Sequence, residues 1–349
     1  KIMKLTKILV ALSFLFAVST ANAGELTVTG SMEATYTSEV DKTTGNPLGM
    51  DRELKFAGST ELDSGITVSV MQDTSDSLAF SNSQIMFSGI STPAGTLGIY
   101  VGSDSDPIDA VDDITPSAYE EANGSGSGTY VDIGSNAGQM GLGLKFDLPF
   151  LGAVNYKHYP KIDGAKNTDN SSSGTVAGAA GAGVGSAYSV SIKTDLGATI
   201  GQLDGLTWTN AFGEAENSRL ASTDDSWEAT SALNYSIGSL SLGLQRKATS
   251  LGQTAIDTVG TDTAAVVHTD TVMGIAYAVN DAFSVSYNRY TSNRSSPTAV
   301  NNEQETDAFN IGYTMGGMTI GFQDASTDNA NYVLNAEDDT RTLGVSVAF

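Results

Sequence analysis

Single-residue alternation of apolar and polar side chains recurs along almost the whole chain, and it confines the backbone to strands. Leu26, Val28, Met32, Ala34 and Tyr36 alternate with Thr27, Thr29, Ser31, Glu33 and Thr35. Near the other end Leu343, Val345, Val347 and Phe349 alternate with Thr342, Gly344, Ser346 and Ala348. A period of two gives an extended segment one apolar and one polar face, whereas an amphipathic helix needs a period of 3.6. Such runs predict sixteen strands, near 25–38, 51–63, 65–73, 80–89, 95–103, 138–147, 151–160, 186–196, 203–214, 226–237, 239–249, 270–279, 282–292, 305–315, 317–326 and 339–349.

The connections alternate short and long. Asp63-Ser64-Gly65, Ile237-Gly238-Ser239, Asn280-Asp281-Ala282 and Gly316-Gly317 have the chemistry of tight hairpins. Between them lie long polar segments near 39–50, 104–137, 161–185, 215–225, 250–269, 293–304 and 327–338. A short seam near 74–79 and a longer turn near 197–202 break the regularity. Alternate connections of an antiparallel meander emerge at the same end, so the pattern describes a barrel with two unlike rims.

A soluble β-sandwich also alternates, and polarity decides between the two. A ring of sixteen strands is too wide to be filled by side chains. If the Leu, Val, Ile, Phe and Tyr face points outward it meets lipid, every backbone group pairs with a neighbour, and the polar face lines a water-filled hole. Outward aromatics near strand ends, among them Tyr36, Trp208, Tyr277 and Tyr313, fit interfacial girdles. The expected fold is an all-β, 16-stranded antiparallel transmembrane β-barrel with short periplasmic turns and long extracellular loops. Arg246, Arg289 and Arg341 share the outward parity near long loops, placed either against acidic headgroups or in water.

Residues 1–23 have the parts of an export signal: Lys1, Lys4 and Lys7, the apolar run Ile8 to Val18, and Ala21-Asn22-Ala23. The expected organisation is a signal peptide over 1–23 and a single barrel over 24–349.

Charge and composition exclude other classes. With 40 acidic against 17 basic residues and a net charge of −23, no nucleic-acid partner is expected. The absence of Cys excludes thiolate chemistry and Cys-held metals. Only His158 and His268 are present, and neither stands at a spacing that suggests a catalytic pair, so no enzyme is expected. No metal site and no resident cofactor are expected, with one alternative. Asp104, Asp106, Asp109, Asp112 and Asp113 supply hard oxygen ligands of the kind Ca²⁺ takes, in a spacing that is not an EF-hand.

From Phe56 to Leu144 there is no Lys or Arg, and the loop 103–137 within this stretch carries Asp104, Asp106, Asp109, Asp112, Asp113, Glu120 and Glu121. Inward parity belongs to Lys55, Lys145, Lys157, Lys193 and Lys247. They are either a basic channel wall or scattered lysines neutralised by acids such as Glu53, Asp147 and Glu228. Inward Tyr100, Tyr159 and Tyr290 are too dispersed to form a stacking ladder for one solute.

The chain resembles the general, non-specific porins of the Gram-negative outer membrane, closest to the α-proteobacterial type. The resemblance is carried by the opening strand Gly24 to Gly30, the sixteen-run meander, the fifth run Gly95 to Gly102 leading into the longest loop, and the closing Leu343 to Phe349. It implies that the third loop folds inward and forms a pore constriction with its carboxylates. A transverse field would then run between that loop and the basic wall. It further implies a homotrimer in outer-membrane lipid and lipopolysaccharide, and Phe349 as the terminal assembly signal read by the barrel insertion machinery. The expected function is passive diffusion of small hydrophilic solutes and ions with weak cation preference. A substrate-specific channel and a structural or adhesive barrel are the alternatives.

Overall fold

The computed structural model describes residues 26–40, 44–74, 80–103, 106–122, 140–149, 151–160, 186–201, 203–216, 225–250, 267–295 and 302–349. The expected signal segment 1–23, Asp104 and the loop stretch 123–137 lie outside the described residues.

The strands are β1 (Leu26–Glu39), β2 (Leu48–Glu61), β3 (Thr67–Thr74), β4 (Phe80–Thr92), β5 (Gly95–Gly102), β6 (Gly141–Leu148), β7 (Gly152–Tyr159) and β8 (Ala187–Asp195). They continue as β9 (Leu206–Ala215), β10 (Ser226–Ile237), β11 (Leu240–Ser250), β12 (Val267–Ala278), β13 (Phe283–Ser295), β14 (Gln304–Met315), β15 (Met318–Asp328) and β16 (Glu337–Ala348). Each pairs antiparallel with its sequence neighbour, and β16 returns to β1 from Ser31↔Ala348 to Glu39↔Thr340. The sheet is therefore a closed sixteen-stranded barrel with no free edge. The seam is locked at one rim by Gly30 and Phe349, whose backbones exchange hydrogen bonds of 2.9 and 3.0 Å.

All sixteen sequence runs are strands, and no end moves by more than three residues. One shift matters: β12 begins at Val267, so His268 belongs to a strand and not to the preceding loop. The turn expected near 197–202 holds a single helical turn, α1 (Leu196–Ile200). The Asp195 carboxylate accepts from Ala198 N–H at its start, and Gly201 closes it in the left-handed conformation at φ 70°.

Burial is inverted relative to a soluble protein. On β14, Phe309 is 46% exposed while Asn310, its neighbour on the opposite face, is 0% exposed. Leu242, Ile275, Tyr313, Leu343 and Val345 are likewise exposed, and Gln245, Asn288 and Gln323 are buried. An apolar outside on a closed ring is the solution that lipid, not water, stabilises. Arg289 and Arg341 do not stand alone on that face. Arg289 grips Asp307 through two bonds of 2.7 Å, and Arg341 Nε reaches Asp324 at 3.2 Å. Each arginine faces its carboxylate on an adjacent strand, which lowers the cost of placing charge on an apolar surface.

Candidate functional site: an acidic loop seated inside the barrel

Between β5 and β6 the chain turns into the barrel, and residues 106–122 run along its inner wall. Side-chain amides and hydroxyls of successive strands hold it. Gln245 Nε2 on β11 donates to the carbonyls of Val111 (2.9 Å) and Asp112 (2.6 Å), while its Oε1 accepts from Ile114 N–H at 3.3 Å. Asn234 donates to Ile114 O at 2.8 Å and Asn288 to Pro116 O at 3.0 Å. The Ser286 hydroxyl accepts from Ala118 N–H at 2.9 Å, and Gln323 donates to Glu120 O and Glu121 O at 3.0 and 3.2 Å. The Tyr119 hydroxyl crosses to Glu33 on β1 at 2.6 Å. A loop away from solvent must pair its backbone groups, and these wall side chains do so.

The loop fits because the wall beneath it lacks side chains. Gly243, Gly274, Gly312, Gly321 and Gly344 all carry inward parity, on β11, β12, β14, β15 and β16. Gly243 faces Gly274, Gly312 faces Gly321, and Gly321 faces Gly344 in the ladder. A Cβ at any of the five would come within 3.0 Å of Pro116, Ala118 or Tyr119. Glycine inside a strand marks a close approach of backbone or ligand, and here five such positions form the floor on which the loop lies. This row was available in the sequence, as glycines interrupting the inward face of late strands, but nothing local said what would approach them. Ala122 then docks on a dry patch of Val272, Tyr290, Ala308 and Ala325 on the inner side of the wall.

The expected acidic residues divide into three roles. Asp106 is buried and accepts from the Tyr159 hydroxyl and from Ile108 N–H at 2.9 Å, so it clamps the loop's entrance. Asp109 and Asp113 are exposed, and Asp112 is half-buried. Glu120 and Glu121 are half-buried, and Glu121 Oε1 accepts from the Thr115 hydroxyl at 2.9 Å. Burial first, then the charge of Asp113, push the Glu121 carboxyl up to about 7. The Glu120 carboxyl is also raised, by burial and then by Glu33 and Asp113. Among the described residues no group of three His, Asp or Glu side chains is arranged to hold a metal ion.

The five lysines also part company. All have inward parity, but Lys157 and Lys247 are 0% and 2% exposed. Lys247 Nζ pairs with Asp113 at 3.2 Å and lies over the Tyr290 ring, and Lys157 lies over Tyr159 at 4.8 Å. Lys247 sits under the loop where it crosses β11, and Lys157 lies beside Tyr159, whose hydroxyl bonds Asp106 at the loop's entrance. Lys193 is exposed, Lys55 and Lys145 are half-buried, and none of these three has an ion-pair partner among the described residues. Tyr100, Tyr159 and Tyr290 are completely buried. They support the loop and its surroundings and offer no stacking face to a solute.

A second inward device was not foreseen. The connection from β15 to β16 carries Asn329, Asn331, Tyr332 and Asn335, all at φ between 52° and 61°. Its Tyr332 is buried against the wall, with its hydroxyl 2.8 Å from Ser292 Oγ and its ring 4.6 Å from the Arg294 guanidinium. Asn tolerates this left-handed region better than most residues, and its recurrence in 327–338 was the available signal.

No family model and no characterised protein matches the chain at the level of sequence. Solved structures do match its fold. A porin refined at 1.8 Å resolution superposes with a TM-score of 0.62 at 14% identity, covering 93% of this chain and 100% of that one. OmpT, an outer membrane protein of Vibrio cholerae solved in a trimer form, gives 0.62 at 10% identity over 94% and 100%. OmpF of Salmonella typhi in complex with daunomycin gives 0.61 at 11% identity over 93% and 98%. The chain thus shares the sixteen-stranded porin fold.

Proposed function

We propose that this protein is an outer-membrane porin whose water-filled lumen passes small hydrophilic solutes and ions by passive diffusion, with weak preference for cations. The observation that carries the reading is the seating of 106–122 inside a closed, outwardly apolar barrel. This segment brings six carboxylates and no base into the lumen, and Lys247 beneath it and Lys157 near its entrance are buried. Carboxylates in a narrow passage with low-dielectric walls concentrate cations. Lys55, Lys145 and Lys193, open to the lumen, temper that preference.

Delivery follows from the 1–23 segment as an export signal. The short-turn rim then faces the periplasm, and Arg289 and Arg341 with their carboxylates lie toward lipopolysaccharide. A homotrimer is the proposed assembly, since one protein of this fold is described in a trimer form. Planar-bilayer recording tests the whole: steady conductance steps and a reversal potential of cationic sign across a salt gradient are expected. A silent bilayer, or clear anion preference, sinks it.

A further inference from the structure

We propose that the inner wall of β6, β7 and β8 holds a binding station for small solutes bearing a single carboxylate. It is a recess of about 270 Å³, roofed by Val111 of the inward loop. That is close to the ~300–1,000 Å³ typical of small-molecule sites. Its floor is set by register. Lys145 lies beside Asn155, which lies beside Ser191, and the next row toward the short turns runs Asp147, Ala153, Lys193, Thr209. Ala153, on the strand between those of Lys145 and Lys193, leaves the space between the two ammonium groups unfilled, and Gly98 leaves the far side of Lys145 open.

The donors are positioned and uncommitted. The Tyr100 hydroxyl donates to Asn155 Oδ1 at 2.8 Å, which fixes that amide and leaves its nitrogen as the donating end. Lys145 Nζ stands 5.4 Å from the Tyr100 ring centroid, and neither it nor Lys193 has a carboxylate partner among the described residues. Ser191 and Thr209 are nearly buried and add hydroxyls. Two point charges flanking fixed neutral donors suit a carboxylate, which accepts charge-assisted hydrogen bonds from both. Asp147 sets the selectivity: two strands from Lys193 in the same row, it repels a second negative charge and accepts from a hydroxyl or ammonium elsewhere on the solute. A hydroxy acid or a zwitterion fits, and a multiply charged phosphate does not. The same recess differs from the loop's seat, where every lysine is covered.

This station rests on the channel reading for access to its solute, and two measurements separate them. In the first, the detergent-solubilised full chain is titrated calorimetrically with sodium gluconate, with glycerol and inorganic phosphate in parallel. In the second, gluconate is added to the conducting protein in a bilayer. Saturable heat and concentration-dependent current interruptions are expected with gluconate alone. Lys145→Gln and Lys193→Gln each weaken binding about tenfold or more, and Asp147→Asn tightens it about two- to fivefold. Conductance without gluconate heat, or heat unchanged in the double lysine variant, overturns the station while leaving the channel. Gluconate heat from a protein that never conducts supports the station and removes the channel.

Discussion

Lys247 and Lys193 have the same residue type and the same inward parity on strands three apart in one barrel, yet one is sealed and the other open. Lys247 lies beneath the inward loop, 2% exposed and paired with Asp113. Lys193 lies on the sector toward the short turns, exposed and without an ion pair among the described residues. Parity assigns a side chain to the lumen side of the wall. Whether that side chain then meets water depends on what else the lumen holds. On the loop's sector the inward residues are buried and close-packed as in a protein core, and on the other sector they behave as a wet surface.

The largest break in this contrast is expected from Gln245→Ala. It strips partners from Val111 O, Asp112 O and Ile114 N–H at once. Each buried group left unpaired costs ~1–3 kcal/mol. Amide hydrogen exchange over 106–122 is expected to accelerate strongly while the strands stay protected. Gly321→Val acts next, by overpacking: its Cβ enters the Tyr119 ring, at ~1–3 kcal/mol. Tyr119 is then expelled from Glu33, and a changed single-channel conductance with an intact barrel is the expected result.

Lys247→Met and Lys193→Met sharpen the comparison directly. The first removes the partner of an Asp113 that is itself 45% exposed, so the loss is ~1 kcal/mol or less. It appears in both thermal unfolding and ion selectivity. The second leaves unfolding unchanged and shifts selectivity alone, toward cations. If both variants affect stability equally, the covered-versus-open distinction is wrong.

A further effect is that of pH on Glu121. Its carboxyl titrates near 7 in the folded protein against an ordinary 4.5, so between these values the native state holds a proton that the unfolded chain releases. Stability of the seated loop therefore falls as pH rises through that window. Cation preference should in turn decline as pH drops from 8 to 5.5 and Glu121 becomes neutral. Reversal potentials of Glu121→Gln, recorded over the same range, are expected to be flatter. An unchanged slope would show that another group is responsible.

The barrel was legible because strand identity is a local property. Whether Val345 faces out can be read from Leu343 and Val347 alone, and a ring of sixteen such segments has only one way to pair every backbone group. The acidity of 106–122 was legible too, from composition. The division of that acidity was not: Asp106 as a buried clamp, Asp113 as a partner of Lys247 and Glu121 as a raised carboxyl all depend on groups from other strands. The glycine row stood in plain view at Gly243, Gly274, Gly312, Gly321 and Gly344, but each lies more than a hundred residues from the loop it receives.

By themselves, then, the alternation of side chains determined the number of strands, the face each residue takes and the closed ring, and composition determined the excess of negative charge. Only the tertiary structure decided where the inward loop runs, and with it which lumen side chains are covered and which remain wet. The physical reason is reach. A strand's faces follow from the two-residue repeat of its own backbone. The loop's path is set by contacts such as Gln245 to Val111, 134 residues apart, whose worth depends on the closed barrel bringing them together.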